Sequence, residues 1–122
     1  MKRNITLEQL KKDVAKFVKK RDWGQYHSPK NLSMSIAIEA AELMETFQWL
    51  SIEESKEVVN KPKLRKAVED ELADIAIYLI DFCDVLNIDV GQVVTAKLKK
   101  NSRKYPVRRS KGKALKYSEY RT

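Results

Sequence analysis

Two acid pairs set inside apolar helical sequence constrain this chain more than any other feature. The first lies in Ser35-Ile-Ala-Ile-Glu-Ala-Ala-Glu-Leu-Met-Glu-Thr-Phe-Gln-Trp49. At 100° per residue, Ser35, Glu39, Glu42, Thr46 and Trp49 fall on one stripe of a helix. Ile36, Ile38, Ala40, Leu43, Met44 and Phe47 flank it and read as buried. Carboxylates bordered by core residues are costly unless something positive sits among them. The second pair, Glu71 and Asp74, repeats the pattern: Glu71, Asp74, Tyr78 and Asp81 share a stripe bordered by Leu72, Ala73, Ile75, Ala76 and Ile77. If the two faces oppose, four carboxylates converge. An oxygen-only donor set of that density suits a hard divalent cation, Mg²⁺ foremost, with Mn²⁺ also compatible. Either pair alone would also suit a solvated helix face; two pairs embedded in apolar sequence favour the metal. A redox di-iron site would need Glu-x-x-His on two helices. The one histidine, His27, lies in a loop.

The rest of the pattern is helical. Leu7, Leu10, Val14, Phe17 and Val18 mark the buried face of a helix over about 6–22, opened by a Thr6/Gln9 capping box. The linker from Asp22 to Ser28 carries Trp23, Tyr26 and His27. Ser28 caps and Pro29 starts a helix reaching about residue 50. Ser51 and Glu54 form a capping box for a short helix to about residue 59. Pro62 opens a long helix to about 87, and Asp89 caps a last one over about 90–104, ended by Pro106. No segment reads as a strand. The expectation is an all-α, antiparallel helical bundle of four main helices plus one short helix. Its domain covers residues 1–106. Residues 107–122 are expected to be a basic tail with little regular structure.

Charge divides the same way. The formal net charge is +8, but residues 97–122 hold eleven Lys/Arg and one acid, for +10. The other 96 residues hold 14 Lys/Arg and 16 acids, for −2. The basic segment points to anionic ligands. On the last helix Lys97, Asn101 and Lys104 share a stripe suited to phosphate contacts. A basic helix C-terminus favoured by the helix dipole is the plainer reading. Trp49, on the stripe of Glu39 and Glu42, offers an indole on which a base can stack, with Trp23 available for the other side. Core packing is the alternative for either indole. No phosphate-binding glycine loop is present, and His27 and Cys83 each stand alone in sequence, so phosphate handling falls to metal and side chains. No apolar run is long enough to span a membrane, and Met1-Lys-Arg-Asn-Ile lacks the apolar core of a signal peptide. The single cysteine fits a reducing cytoplasm.

These residues resemble a known family. Glu39-x-x-Glu42 followed after 28 residues by Glu71-x-x-Asp74 is similar to the motif of the all-α nucleoside triphosphate pyrophosphohydrolases, the MazG-like superfamily. Residues 21–32, Phe47-Gln-Trp49, residues 71–78 and the run from Lys97 to Pro106 look like its dCTP pyrophosphatase branch. The resemblance implies Mg²⁺-dependent cleavage between the α and β phosphates of a (deoxy)nucleoside triphosphate, dCTP or a related one, giving monophosphate and pyrophosphate. It implies that Glu39, Glu42, Glu71 and Asp74 hold the metal and that Trp23 and Trp49 enclose the base. His27 would stand beside the base, and Tyr78, Lys97 and Asn101 against sugar or phosphates. It further implies a homodimer or a homotetramer built from dimers, completing the bundle, and a house-cleaning role on surplus deoxynucleotides. No membrane or nucleic-acid partner is expected. One departure stands out: vertebrate members of that branch carry a histidine in the first helix where this chain has Val14. The rival reading is a helical nucleic-acid-binding module that uses the basic segment.

Overall fold

The computed structural model describes residues 4–120. Met1 to Arg3, part of the start read above as lacking a leader, and Arg121 and Thr122 at the end of the basic segment lie outside them. The chain divides into two compact units, residues 1–88 and 89–122. The all-α expectation holds: among the described residues there is no strand, and the four main helices and the short one all form.

The first unit contains α1 (Leu7–Lys20), α2 (Pro29–Phe47), α3 (Ile52–Lys56) and α4 (Pro62–Val85), with 3₁₀ turns at Trp23–Gln25 and Glu57–Asn60. Each start follows local chemistry. Thr6 Oγ1 accepts the Gln9 N–H at 3.2 Å, and Ser28 Oγ accepts the Asn31 N–H at 3.2 Å ahead of Pro29. Ser51 and Glu54 complete a reciprocal box, each accepting the other's backbone N–H. At Thr6 only half of the expected box forms, because the Gln9 side chain donates to Asp13 instead, at 2.9 Å. Asp22 leaves α1 in the left-handed region (φ 51°), and Asn87 does the same after α4 (φ 56°), residue types that tolerate it. α4 is the hub: it packs against α2 and α1 and takes the Glu57–Asn60 turn along its side.

The core of this unit is thin. Among the described residues the buried apolar side chains are Val14, Val18, Leu32, Val58 and Ile80. The expected α1 face is therefore only partly covered: Val14 and Val18 meet Ile80 of α4, while Leu7, Leu10 and Phe17 are exposed. On α2, Ile38 and Met44, expected inside, are 56% and 61% exposed. The helices carry apolar residues on more of their circumference than one chain's contacts can cover. Burial by α4 uses one side of α2 and leaves the other bare.

The second unit contains α5 (Val90–Lys104), α6 (Val107–Ser110) and a 3₁₀ turn at Tyr117–Glu119. Asp89 Oδ1 caps α5 through the Gln92 N–H at 2.9 Å. After Pro106 the regular structure is short, the four residues of α6 and a three-residue 3₁₀ turn, but the segment is held by aromatic contacts. Tyr105 receives the rings of Tyr117 and Tyr120 edge-on, with centroids 6.1 and 6.0 Å away. The Ser110 hydroxyl donates to the Pro106 carbonyl at 2.8 Å. Three tyrosines supply the apolar contact that basic composition concealed.

A candidate metal centre between two helices

The two helix faces do meet. Glu39 and Glu42 of α2 and Glu71 of α4 each offer a carboxylate oxygen, and these oxygens lie within 4.8 Å of one another. The cause is local: the i, i+3 spacing places Glu39 and Glu42 on one side of α2, and α2 packs on α4. Asp74, one turn beyond Glu71, is exposed and stands outside that group of three.

Electrostatics report the crowding. The Glu71 carboxyl is pushed up to about 7, first by a hydrogen bond shared with Glu39, then by burial, then by Glu42 and the charges of both neighbours. The cluster therefore keeps a proton near neutral pH. Glu71 Oε2 is shut off from solvent, yet no protein donor among the described residues reaches it. Without a cation only a proton shared with a neighbouring carboxylate relieves this crowding; a hard cation would satisfy all three oxygens at once. The residues present thus fit a divalent ion.

The other expected site residues divide into groups. Tyr78 lies on α4 near the cluster. Burial raises its phenol above the ordinary value, and the charges of Glu39, Asp74 and Asp81 add to the effect. Trp23 sits in the turn after α1, edge-on to Phe17 at 5.6 Å and tilted against the His27 ring at 6.1 Å. Trp49, just past the end of α2, is 86% exposed. Single exposed apolar residues are ordinary, so exposure alone assigns Trp49 no role. Lys97, Asn101 and Lys104 all lie on α5, in the second unit. There Lys104 Nζ stands 4.8 Å over the Tyr117 ring, and Lys104 lines a hollow of about 550 Å³ with Lys100, Arg103, Arg108 and Arg109.

His27 is not alone in the fold. Its Nδ1 lies 2.5 Å from Asp81 Oδ2. Asp81 already stood on the Glu71–Tyr78 stripe, yet nothing in the sequence tied it to a histidine 54 residues earlier. Val14, the departure noted in the sequence, is part of the α1–α4 core.

Comparison with known proteins places the chain in a family. A family model described as the MazG-like family matches residues 34–120. The chain belongs to the MazG-like family. It is 40% identical over 114 residues to dCTP pyrophosphatase 1 of Bos taurus, covering 93% of this chain and 68% of that protein. Identity to dCTP pyrophosphatase 1 of Homo sapiens is 35% over 114 residues, covering 67% of that protein. The fold is similar to the crystal structure of a pyrophosphatase from Archaeoglobus fulgidus, with a TM-score of 0.76 and 44% identity, over 87% of this chain and 97% of that one. The MazG-like match extends past Pro106 into the tyrosine-pinned segment, so the family pattern includes part of what composition marked as a tail.

Proposed function

We propose that this protein hydrolyses dCTP or a closely related deoxynucleoside triphosphate between the α and β phosphates, with Mg²⁺ as the cofactor. Its class, a nucleoside triphosphate pyrophosphohydrolase, follows from membership of the family and from its relatives. The observation that carries the reading is the convergence of Glu39, Glu42 and Glu71 around an oxygen with no donor. Glu39, Glu42 and Glu71 would hold the ion, with Asp74 one turn away to join them. Bound there, a divalent cation would supply neutralising charge to the triphosphate oxygens and orient the α-phosphorus. Glu39 or Glu42, whichever is left free to accept a proton, orients and deprotonates the attacking water. Trp49 and Trp23 take the base between their rings, and His27 and Tyr78 flank it. Lys97, Asn101 and Lys104, all on α5, are side chains suited to binding phosphate oxygens.

Assembly belongs to the same proposal. Among the described residues only five apolar side chains are buried, few for a stable domain of this length, while Ile38, Met44, Leu72 and Ile77 of α2 and α4 remain exposed. A second copy laid on these faces completes the bundle, giving a homodimer or a homotetramer of dimers. Light scattering after size exclusion tests this, and a monomeric mass would remove it.

The decisive assay offers a panel of ribo- and deoxynucleoside triphosphates with MgCl₂ and resolves pyrophosphate from orthophosphate. Pyrophosphate with dCTP among the best substrates is expected. Release of orthophosphate would refute α–β cleavage. Manganese should replace magnesium, and chelation should abolish turnover.

A further inference from the structure

Asp81 is the one charged side chain buried among the described residues, 3% exposed, and the acid cluster makes no use of it. A buried carboxylate is kept only where a partner stabilises its charge. That partner is His27, which reaches α4 from the turn between α1 and α2 and places Nδ1 2.5 Å from Asp81 Oδ2. An ionised carboxylate can only accept, so the imidazole donates through Nδ1. The neutral ring is then confined to one tautomer, and Nε2 becomes the nitrogen left open to a ligand.

The same contact fixes more than one ring. The His27 backbone N–H donates to the Trp23 carbonyl at 3.1 Å, and the Tyr26 N–H donates to that carbonyl at 2.9 Å. Asn31, in the first turn of α2, donates its side-chain amide to the Tyr26 carbonyl at 2.9 Å. The rings of Trp23, His27 and Tyr78 follow one another, the first pair tilted and the second edge-on, with centroids 6.1 and 6.4 Å apart. The short turn carrying Trp23 is therefore a closed unit, and its side-chain anchor on α4 is Asp81.

We propose that Asp81 is a positioning residue: by holding His27 Nδ1 on α4 it sets the tautomer and orientation of His27 and fixes the Trp23 turn as one wall of the nucleobase pocket. The part concerning substrate rests on the function proposed above; the part concerning the tautomer does not. Asp81 touches no reacting atom in this scheme, so its loss should weaken substrate binding far more than turnover.

The test uses the full-length protein and two variants, Asp81→Ala and Asp81→Asn. Because the chain has a single histidine, imidazole ¹⁵N resonances of histidine-labelled protein belong to His27 without assignment. At alkaline pH the wild type should show one tautomer, protonated at Nδ1. Asp81→Ala should show exchange between both tautomers. Asp81→Asn, whose side-chain oxygen still accepts, should stay closer to wild type. In kinetics on the best nucleotide of the panel, Asp81→Ala should raise KM about tenfold to a hundredfold, the scale of one charge-assisted hydrogen bond, with kcat within about twofold. Asp81→Asn should recover part of that loss. A wild-type ring protonated at Nε2, or one averaging as freely as in Asp81→Ala, overturns the tautomer claim whether or not any nucleotide is hydrolysed. Unchanged KM in both variants, or a fall in kcat as large as the rise in KM, overturns the positioning role. If Asp81→Ala fails to fold, the resonances and KM of Asp81→Asn decide: a wild-type-like ring with a modest KM increase supports the proposal, and a disordered ring with unchanged KM overturns it. Absence of turnover with every nucleotide would sink the functional reading and leave the tautomer result standing by itself.

Discussion

Cation binding at the Glu39–Glu42–Glu71 cluster should be coupled to loss of one proton. The Glu71 carboxyl titrates at about 7, where an ordinary glutamate titrates near 4.5, because it shares a hydrogen bond with Glu39 and is crowded by Glu42. A cation needs that oxygen, so it must displace the proton wherever the proton is present. A group titrating at about 7 is about nine-tenths protonated at pH 6, half at pH 7 and a tenth at pH 8. Proton release per ion should therefore fall from about 0.9 to about 0.5 to about 0.1 over that range, and apparent affinity should rise about tenfold from pH 6 to pH 8. Titration calorimetry with Mg²⁺ or Mn²⁺ in buffers of contrasting ionisation enthalpy measures both quantities. The linkage has a second face. The folded-state value lies above that of the unfolded chain, so the group's contribution to stability is full below about pH 4.5 and lost as pH rises through about 7. Melting of the metal-free protein should register that loss, and added cation should raise the melting temperature most above pH 7. Affinity independent of pH between 6 and 8, with no proton released, would refute the shared-proton account of the cluster.

Four further outcomes follow from the geometry. Glu71→Gln should remove the cation-induced rise in melting temperature and lower turnover about a hundredfold or more, the loss expected with charge stabilisation of several kcal/mol. Asp74→Asn, altering an exposed acid outside the group of three, should weaken Mg²⁺ binding less than Glu71→Gln; equal loss of affinity would show that the ion sits lower on α4. Trp49→Ala removes an indole that is 86% exposed. Denaturant melts should therefore move by less than about 0.5 kcal/mol, while loss of base stacking raises KM about tenfold or more. An unchanged KM removes Trp49 from the pocket. Leu32→Ala empties the most completely buried large side chain, 1% exposed, and should cost about 2–4 kcal/mol in urea unfolding; a loss under about 1 kcal/mol would mean that α2 repacks.

Much of this protein was legible before any coordinates because helices convert sequence spacing directly into faces. The i, i+3 acid pairs, the caps at Thr6, Ser28, Ser51 and Asp89, and Pro29 and Pro62 at helix starts act within a turn or two, so local physics suffices to place them. The family motif was equally legible, since it is a spacing of Glu39, Glu42, Glu71 and Asp74 on two such helices. Burial was less so. Apolar spacing named Leu7, Leu10 and Phe17 as core because periodicity tells which residues want cover and not whether one chain can supply it. The contacts of the segment after Pro106 were hidden for a related reason: its charge dominates the composition, while Tyr105, Tyr117 and Tyr120 meet through contacts spaced well beyond a helical turn.

The sequence alone determined the helices, their ends and which acids share a face, because each depends on neighbours within a few residues. Only the tertiary structure decided that α2 packs on α4 so that Glu71 joins Glu39 and Glu42, and that the resulting crowding retains a proton near neutral pH. It also decided that His27 has a partner. The bond to Asp81 spans 54 residues of chain, and no periodicity carries information over that distance; it exists because the packing of the first unit brings the turn after α1 onto the side of α4.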